Sequence, residues 1–210
     1  MTKIAVVYHS GFGHTKVIAQ SVARGASSVE GADVALVNVD ELTLTDQGKL
    51  GPEWDALHES DALIFGSPTY MGTVSAGFKK FMDESGAVWG AQRWRDKLAA
   101  GFTNAGGLSG DKLNTLMTMS VFAAQHSMIW ISQGIMSDSS VNRMSSYLGL
   151  MTQSDDAPTD QTPPPEDHET AERFGARVAQ AAVRWTRGAQ STNGPESGLH
   201  APAQNTGSPE

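Results

Sequence analysis

The chain has 210 residues, a formal net charge of −8 at pH 7 and no cysteine. That length suits one α/β domain followed by a tail. The lack of cysteine excludes disulfides, thiolate metal sites, iron–sulfur clusters and thiol catalysis, and it is compatible with a reducing cytosol. The negative charge argues against a non-specific nucleic-acid binder, because such binding depends on a positive field. No run of about 18 apolar residues and no basic-then-apolar leader is present, so we expect a soluble cytoplasmic protein with no membrane span.

The first predicted strand, residues 4–8, runs directly into a small polar loop, and a helix is predicted from residue 15 or 16 to about residue 29. The loop consists of Ser10, Gly11, Phe12, Gly13, His14 and Thr15. The N-terminus of a helix offers free N–H groups and about half a positive charge, which favours a phosphate there. The hydroxyls of Ser10 and Thr15 add donors. The pattern therefore predicts phosphate binding, with an ordinary turn capped at Ser10 or Thr15 as the alternative.

Two common phosphate motifs do not match this loop. The order Gly13, His14, Thr15, Lys16 does not supply the Gly-Lys-Ser/Thr end of a Walker loop. The dinucleotide fingerprint Gly-x-Gly-x-x-Gly fails because Lys16 stands where the third glycine is required. What remains, Ser-x-x-Gly-x-Thr, would have to bind a phosphate with hydroxyls and amides.

A second strand is predicted over residues 34–39 and a third over 62–65, and the third leads into an unusual loop. Its central residues are Pro68, Thr69, Tyr70, Met71 and Gly72. Proline restrains the residue before it to extended geometry. The loop offers backbone amides, threonine hydroxyls and one aromatic face, which are the contacts that a flavin ring needs. A plain surface turn is the alternative.

After a helix over residues 75–84, a fourth strand over 99–103 is followed by a third such loop. It contains Asn104, Ala105, Gly106 and Gly107, and a helix is predicted over 111–126. Neighbouring glycines let a backbone approach a ligand closely. Judged alone, the loop is equally compatible with a flexible connection. Three such loops at strand ends together favour ligand contact.

His126 ends that helix, where a histidine more often caps the last turn than reacts. A fifth strand over 128–132, an acidic proline-rich connection over 153–167 and a helix over 168–185 complete the predicted elements. Residues 1–187 are predicted to form the domain and 188–210 a disordered tail. His9, His14 and His58 lack the spacing of metal ligands, so no metal site is predicted. No Gly-x-Ser-x-Gly elbow accompanies Ser10 and His14, which sets a hydrolase aside.

Strands that alternate with helices predict a parallel sheet covered on both faces. Five such strands indicate a doubly wound α/β fold. Its ligands sit at the carboxyl ends of the strands, near the point where the strand order reverses.

The loops together resemble the flavodoxin-like NAD(P)H:quinone oxidoreductases known as the WrbA-like FMN flavoproteins. The resemblance covers about residues 3–150 and rests on four motifs in order, at 8–15, 66–72, 81–89 and 125–128. It implies a flavodoxin-like fold, non-covalent FMN, reduction of quinones by NADH or NADPH, and a homodimer or homotetramer.

By this resemblance, residues 10–15 hold the FMN phosphate, 68–72 flank the isoalloxazine and 104–107 form the third FMN contact. His126 resembles the family's histidine near the flavin, which would stabilise the reduced ring or orient the quinone, in its own or a neighbouring subunit. We therefore expect His126 to be both a cofactor contact and the catalytic residue.

The chain also departs from the family pattern. Tyr70 and Met71 stand where the family has Arg-Phe, and the third loop begins with Asn104 in place of Thr-Gly-Thr. Residues 143–149 and the acidic connection occupy the region of a glycine-rich entrance. Flavin binding is therefore better supported than a quinone as the particular substrate. Whether residues 133–165 close over the flavin as a lid is left open.

The sequence predicts an FMN-dependent oxidoreductase that transfers hydride from NAD(P)H to a quinone in a ping-pong mechanism. One alternative is a flavodoxin-type electron carrier that serves a partner reductase or monooxygenase. It is disfavoured because small flavodoxins are acidic around the ring, and the candidate loops contain no Asp or Glu before Asp111. A flavin-free interaction protein is the second alternative.

Overall fold

A computed structural model describes residues 1–44 and 49–192. Its strands are β1 (Thr2–Tyr8), β2 (Ala32–Asn38), β3 (Ala62–Tyr70), β4 (Thr73–Val74), β5 (Leu98–Ala105), β6 (Ile129–Trp130) and β7 (Leu150–Gln153). Its α-helices are α1 (His14–Ser27), α2 (Asp55–Glu59), α3 (Ala76–Glu84), α4 (Gly86–Gly90), α5 (Lys112–Gln125) and α6 (Pro165–Thr192). Short 3-10 turns lie at Val39–Glu41 and Pro52–Trp54.

The core of the sheet has the strand order β2-β1-β3-β5-β6, and all of these strands are parallel. This confirms the predicted flavodoxin-like doubly wound fold. The described sheet has seven strands rather than five, because β4 pairs antiparallel with β3 and β7 pairs with β5. The order reverses between β1 and β3, which places a ligand site at the carboxyl ends of those strands.

The fifth position of the sheet is shared by two short strands. β6 pairs with Leu98 and Ala99, whereas β7 pairs with residues 102–105 farther along β5. The prediction of one strand over 128–132 is wrong in extent, because the chain leaves the sheet edge after Trp130 and returns at Leu150. The return brings the acidic connection to the carboxyl end of the sheet.

Helices cover both faces of the sheet, as predicted. Alternate residues of β1 face opposite sides: Ile4 and Val6 join the core under α1 and α6, while Ala5 and Val7 join the core that includes residues of α2, α3, α4 and α5. Strands buried on both faces read as continuous apolar runs, which explains why the strand signals in the sequence were clear.

The last helix begins and ends outside its predicted range of 168–185. It starts at Pro165 and continues to Thr192, past the predicted domain boundary at residue 187. The rest of the predicted tail, 193–210, lies outside the described residues. Within the described ranges, no helix combines the length and apolar character that a membrane crossing requires.

Candidate functional site

A cavity of about 570 Å³ lies at the carboxyl ends of β1, β3 and β5. All three predicted loops reach it, and a fourth segment of consecutive residues closes one side. The lining consists of Ser10, Phe12, His14, Thr15, Pro68, Thr69, Tyr70, Asn104, Ala105, Gly106 and residues 154–159. A volume of this size is within the usual range for small-molecule sites.

The first loop presents backbone N–H groups at the start of α1. Gly13 has φ 93° and forms the N-cap of the helix, so neither Ser10 nor Thr15 caps it. The Ser10 hydroxyl instead accepts from the N–H groups of Gly13 and Lys16, each at 3.1 Å, which fixes the turn. Within the described residues, the N–H groups of His14 and Thr15 donate to no protein acceptor. Free N–H groups and the helix dipole at this position favour a negatively charged ligand.

Gly11 allows the first loop to approach the second. A Cβ added at Gly11 would lie 2.7 Å from the Tyr70 hydroxyl oxygen. The Phe12 and Tyr70 rings meet edge to face, with centroids 6.1 Å apart. Partial burial raises the pKa of Tyr70, so the phenol stays neutral at physiological pH. The two rings give the cavity an apolar, aromatic wall.

The second loop proves to be the end of β3 and a tight hairpin. Thr69 is buried, and its hydroxyl bonds to the hydroxyls of Thr103 and Thr115 at 2.8 and 2.7 Å. Met71 and Gly72 both have positive φ, 47° and 83°, as a two-residue type I′ turn requires. Met71 is fully exposed at the tip. The structure therefore does not bring Met71 or Gly72 into the cavity lining, although the sequence assigns both to it.

The third loop is held from behind by buried polar side chains. Asn104 is buried; its amide nitrogen donates to Ser154 Oγ at 2.6 Å and its amide oxygen accepts from Thr152 Oγ1 at 2.9 Å. Ala105 and Gly106 line the cavity beside it. Gly107, predicted to contact the cofactor, lies outside the lining.

Residues 154–159, which belong to the predicted acidic connection, form one wall of the cavity. Ser154 N–H donates to the Ala105 carbonyl at 3.2 Å, and His14 Nε2 is 2.9 Å from the Ala157 carbonyl oxygen. The imidazole of His14 thus ties the first loop to this wall. The wall also carries Asp155 and Asp156, so carboxylates line the cavity although the three predicted loops contain none before Asp111. The only local signal was the short β-strand pattern at 150–153 just before it.

His126 lies away from the cavity. α5 begins beside the third loop and runs back along the sheet. Its 14 residues span about 21 Å, so it ends near the amino ends of the strands, opposite the cavity. There His126 is 2% exposed, packs against Trp94 and Phe122, and its Nε2 lies 3.0 Å from Ser85 Oγ. Burial lowers its pKa to about 4. The structure therefore does not bring His126 into the lining of the cavity of its own chain, and its contact with a cofactor stays a prediction.

His126 lines a second groove instead, between α3 and α5. Exposed apolar side chains follow one face of α5 at intervals of four residues. These are Leu113, Met117 and Val121, and Trp89 is half exposed across the groove. Exposed apolar side chains on one helix face are typical of protein contact surfaces.

The donor set of the cavity suits a mononucleotide such as FMN. Amides and hydroxyls at the start of α1 can take the phosphate, and the aromatic wall and the third loop can take a flat ring. The lining contains no lysine or arginine. Over the described ranges, no group of three His, Cys, Asp or Glu side chains is placed to hold a metal.

The chain matches one protein family, and its similar proteins include both a flavodoxin and a quinone-reducing dehydrogenase. Residues 2–142 match the family described as NADPH-dependent FMN reductase. The chain is 39% identical over 189 residues to flavodoxin FldP of Pseudomonas aeruginosa, covering 86% of this chain and 96% of that one. It is 32% identical over 199 residues to an NAD(P)H dehydrogenase (quinone) of Archaeoglobus fulgidus, covering 88% and 99%. A crystal structure of a WrbA-like flavodoxin from Agrobacterium tumefaciens superposes with a TM-score of 0.67 at 39% identity, covering 88% and 99%.

Proposed function

The chain is a WrbA-like member of the NADPH-dependent FMN reductase family, and from this membership we propose that it binds FMN in the cavity and oxidises NAD(P)H. The single observation that supports this most strongly is the convergence of three loops on one cavity at the β1/β3 switch point. In the proposed reaction, NAD(P)H and a proton reduce a quinone to the hydroquinone, and NAD(P)⁺ leaves before the quinone enters.

When bound, FMN supplies the hydride and electron chemistry. The protein's part is to bind and orient. The N–H groups of His14 and Thr15 would hold the phosphate, and the Ser10 hydroxyl, which accepts two N–H groups, keeps its own proton to donate. Phe12 and Tyr70 would exclude water from one side of the ring. Asn104, fixed by Thr152 and Ser154, would keep the third loop at a constant distance from it.

A steady-state assay tests the proposed reaction. The protein loaded with FMN is mixed with NADH or NADPH and with a benzoquinone. We expect quinone-dependent oxidation of at least one nicotinamide, with parallel double-reciprocal plots as in a ping-pong mechanism. A loaded protein that oxidises neither nicotinamide with any quinone would refute the reductase.

The flavodoxin-type electron carrier remains a second candidate because of Asp155 and Asp156. Both carboxylates line the cavity, so the acidity that favours a carrier is present in this chain. The similarity to flavodoxin FldP points the same way. A reductive titration separates the two. Persistent accumulation of a one-electron-reduced flavin favours the carrier, and direct two-electron reduction by NAD(P)H favours the enzyme.

We further propose that the protein is a homo-oligomer joined through the apolar face of α5 and the groove beside it. Leu113, Met117 and Val121 expose about half or more of their surface, which is unusual for one helix face of a monomer. His126 lines this groove. In such an oligomer, His126 would act near the flavin that is bound by a neighbouring subunit. A cytoplasmic location belongs to the same proposal, because the proposed electron donor is an intracellular cofactor.

A further inference from the structure

Lys112 is a buried cation directly behind the third loop. It is the first residue of α5, and its side chain is completely buried. Its ammonium group donates to the Thr152 carbonyl oxygen at 2.7 Å and lies 4.0 Å from the Met144 sulfur. An ammonium has three donors, so one carbonyl and one weak sulfur acceptor leave it poorly solvated by the protein.

The charge of Lys112 has no direct counter-ion in the described part of the chain. Asp167 attracts it from a distance, but both oxygens of that carboxylate are engaged by the Arg143 guanidinium at 2.6 and 2.9 Å. Burial lowers the pKa of Lys112 to about 8. Its place at the start of α5 also sets a positive charge at the positive end of the helix dipole. The burial, the lack of a direct counter-ion and the position at the start of α5 all make the charge of Lys112 unfavourable for the stability of the fold.

Lys97 shows what a structural lysine looks like in the same protein. Its ammonium donates to three carbonyl oxygens, those of Leu57, His58 and Ser60, at 3.3, 2.5 and 2.5 Å. Its pKa is also lowered to about 8 by burial. Lys97 therefore has a similar electrostatic environment but a full set of acceptors. It lies directly before β5, at the end of that strand opposite the cavity.

A chain of three hydrogen bonds connects Lys112 to the cavity wall. Thr152, whose carbonyl takes the ammonium, donates its hydroxyl to the Asn104 amide oxygen, and the Asn104 amide nitrogen donates to Ser154. Asn104 and Ser154 line the cavity. As far as the structure describes it, the lining has two carboxylates and no lysine or arginine, so a positive charge behind the wall would stabilise an anion bound there.

We propose that Lys112 is a positioning residue whose buried charge stabilises the anionic cofactor in the neighbouring cavity, acting through Thr152, Asn104 and Ser154. The inference rests on the proposed binding of FMN. It predicts that Lys112 strengthens FMN binding while weakening the fold of the free protein. Because reduction adds negative charge to the flavin, Lys112 should also favour the reduced cofactor over the oxidised one.

The test compares Lys112→Met with Lys97→Met in the full chain. Methionine keeps the length of the apolar stem and removes the charge. For Lys112→Met we expect an unchanged or higher thermal midpoint of the apoprotein, an FMN dissociation constant raised about tenfold, and a lower midpoint potential. If the reduced flavin loses a further factor of ten, the potential falls by about 30 mV for a two-electron couple.

For Lys97→Met we expect the opposite pattern. Three carbonyl oxygens lose their donor, so the thermal midpoint falls, while the FMN dissociation constant and the potential stay as in the wild type. If Lys112→Met instead loses stability and leaves the dissociation constant and potential unchanged, Lys112 is structural and the inference is overturned.

If Lys112→Met does not fold, the pH dependence of FMN binding by the wild type tests the same inference. The FMN dissociation constant should rise between pH 7 and pH 9, as Lys112 loses its proton in the free protein. A constant value over that range would contradict the inference. A wild-type protein that binds no FMN at all is a different result, because it refutes the proposed function itself.

Discussion

At the scale of single residues, burial decides what His126 can do. The folded chain holds this histidine neutral, with a pKa lowered to about 4, whereas the unfolded chain binds a proton near its ordinary value of 6.5. Between those two values the unfolded state binds the extra proton, so stability is lost as the pH falls from 6.5 toward 4.

His126→Gln should reduce this acid sensitivity. The wild type is expected to lose up to about 3 kcal/mol from this group across that interval, and the variant to lose correspondingly less. Urea unfolding at pH 7 and pH 4.5 measures both. Equal losses in the two proteins would show that His126 does not titrate as a buried group.

The close approach of Gly11 to Tyr70 allows a separate test of the cavity wall. A methyl group at this position would press on the Tyr70 hydroxyl 2.7 Å away and push the ring out of the aromatic wall. Gly11→Ala should weaken FMN binding by about a factor of ten, or 1.4 kcal/mol, with little change in stability. Gly90→Ala, which meets nothing within 4 Å, is the matched control. Equal affinity in the two variants would mean that Tyr70 does not form part of the site.

The residues of the cavity lining that are close together in the chain could be predicted from the sequence. Ser10 and Thr15 flank one turn, so their spacing alone revealed the loop. The partner of His14 is Ala157, 143 positions away, and no local pattern indicates such a contact. Lys112 was missed for the same reason, because burial behind Asn104 depends on the return of the chain at β7.

At the scale of elements, the hairpin between β3 and β4 stores strain. Met71 has φ 47°, which asparagine and glycine adopt more easily. Met71→Asn should stabilise the protein by about 1 kcal/mol. Denaturant unfolding measures the change, and a loss of stability would show that the exposed Met71 side chain makes stabilising contacts. Retained FMN affinity would agree with the position of Met71 outside the cavity.

Close packing of α1 on α6 depends on two glycines. A Cβ at Gly175 would overlap the Val22 carbonyl oxygen, and one at Gly25 would overlap the Glu172 carbonyl oxygen. Gly175→Ala should therefore destabilise the protein by about 1–3 kcal/mol. Gly86→Ala, with open space around the added methyl, should change the unfolding free energy little. Equal effects would mean that the two helices separate easily.

The strands and most helices were predictable, but the split fifth strand was not. Residues 128–132 carry an apolar run like that of a complete strand, yet only Ile129–Trp130 pair with β5. How far β6 extends depends on where residues 131–149 leave the sheet and return to it. That path is set by tertiary contacts, which a local pattern does not show. Asp155 and Asp156 directly follow β7 and line the cavity, which supports the electron-carrier alternative.

At the scale of the whole molecule, the proposed oligomer rests on the apolar face of α5. Val121→Glu places a charge in that face and should shift the protein toward monomer. Gln180→Glu adds the same charge on α6, at an exposed position away from that face, and should leave the assembly unchanged. Light scattering after size-exclusion chromatography measures the mass. A wild-type protein that is already monomeric at micromolar concentration would contradict the proposal.

The most direct test of the account is to titrate the apoprotein with FMN and then, without oxygen, with NADPH or NADH. We expect one tightly bound FMN per chain, whose visible absorption is lost as the flavin passes directly to the two-electron-reduced state and is restored by a quinone. A folded apoprotein that takes up no FMN would contradict this expectation.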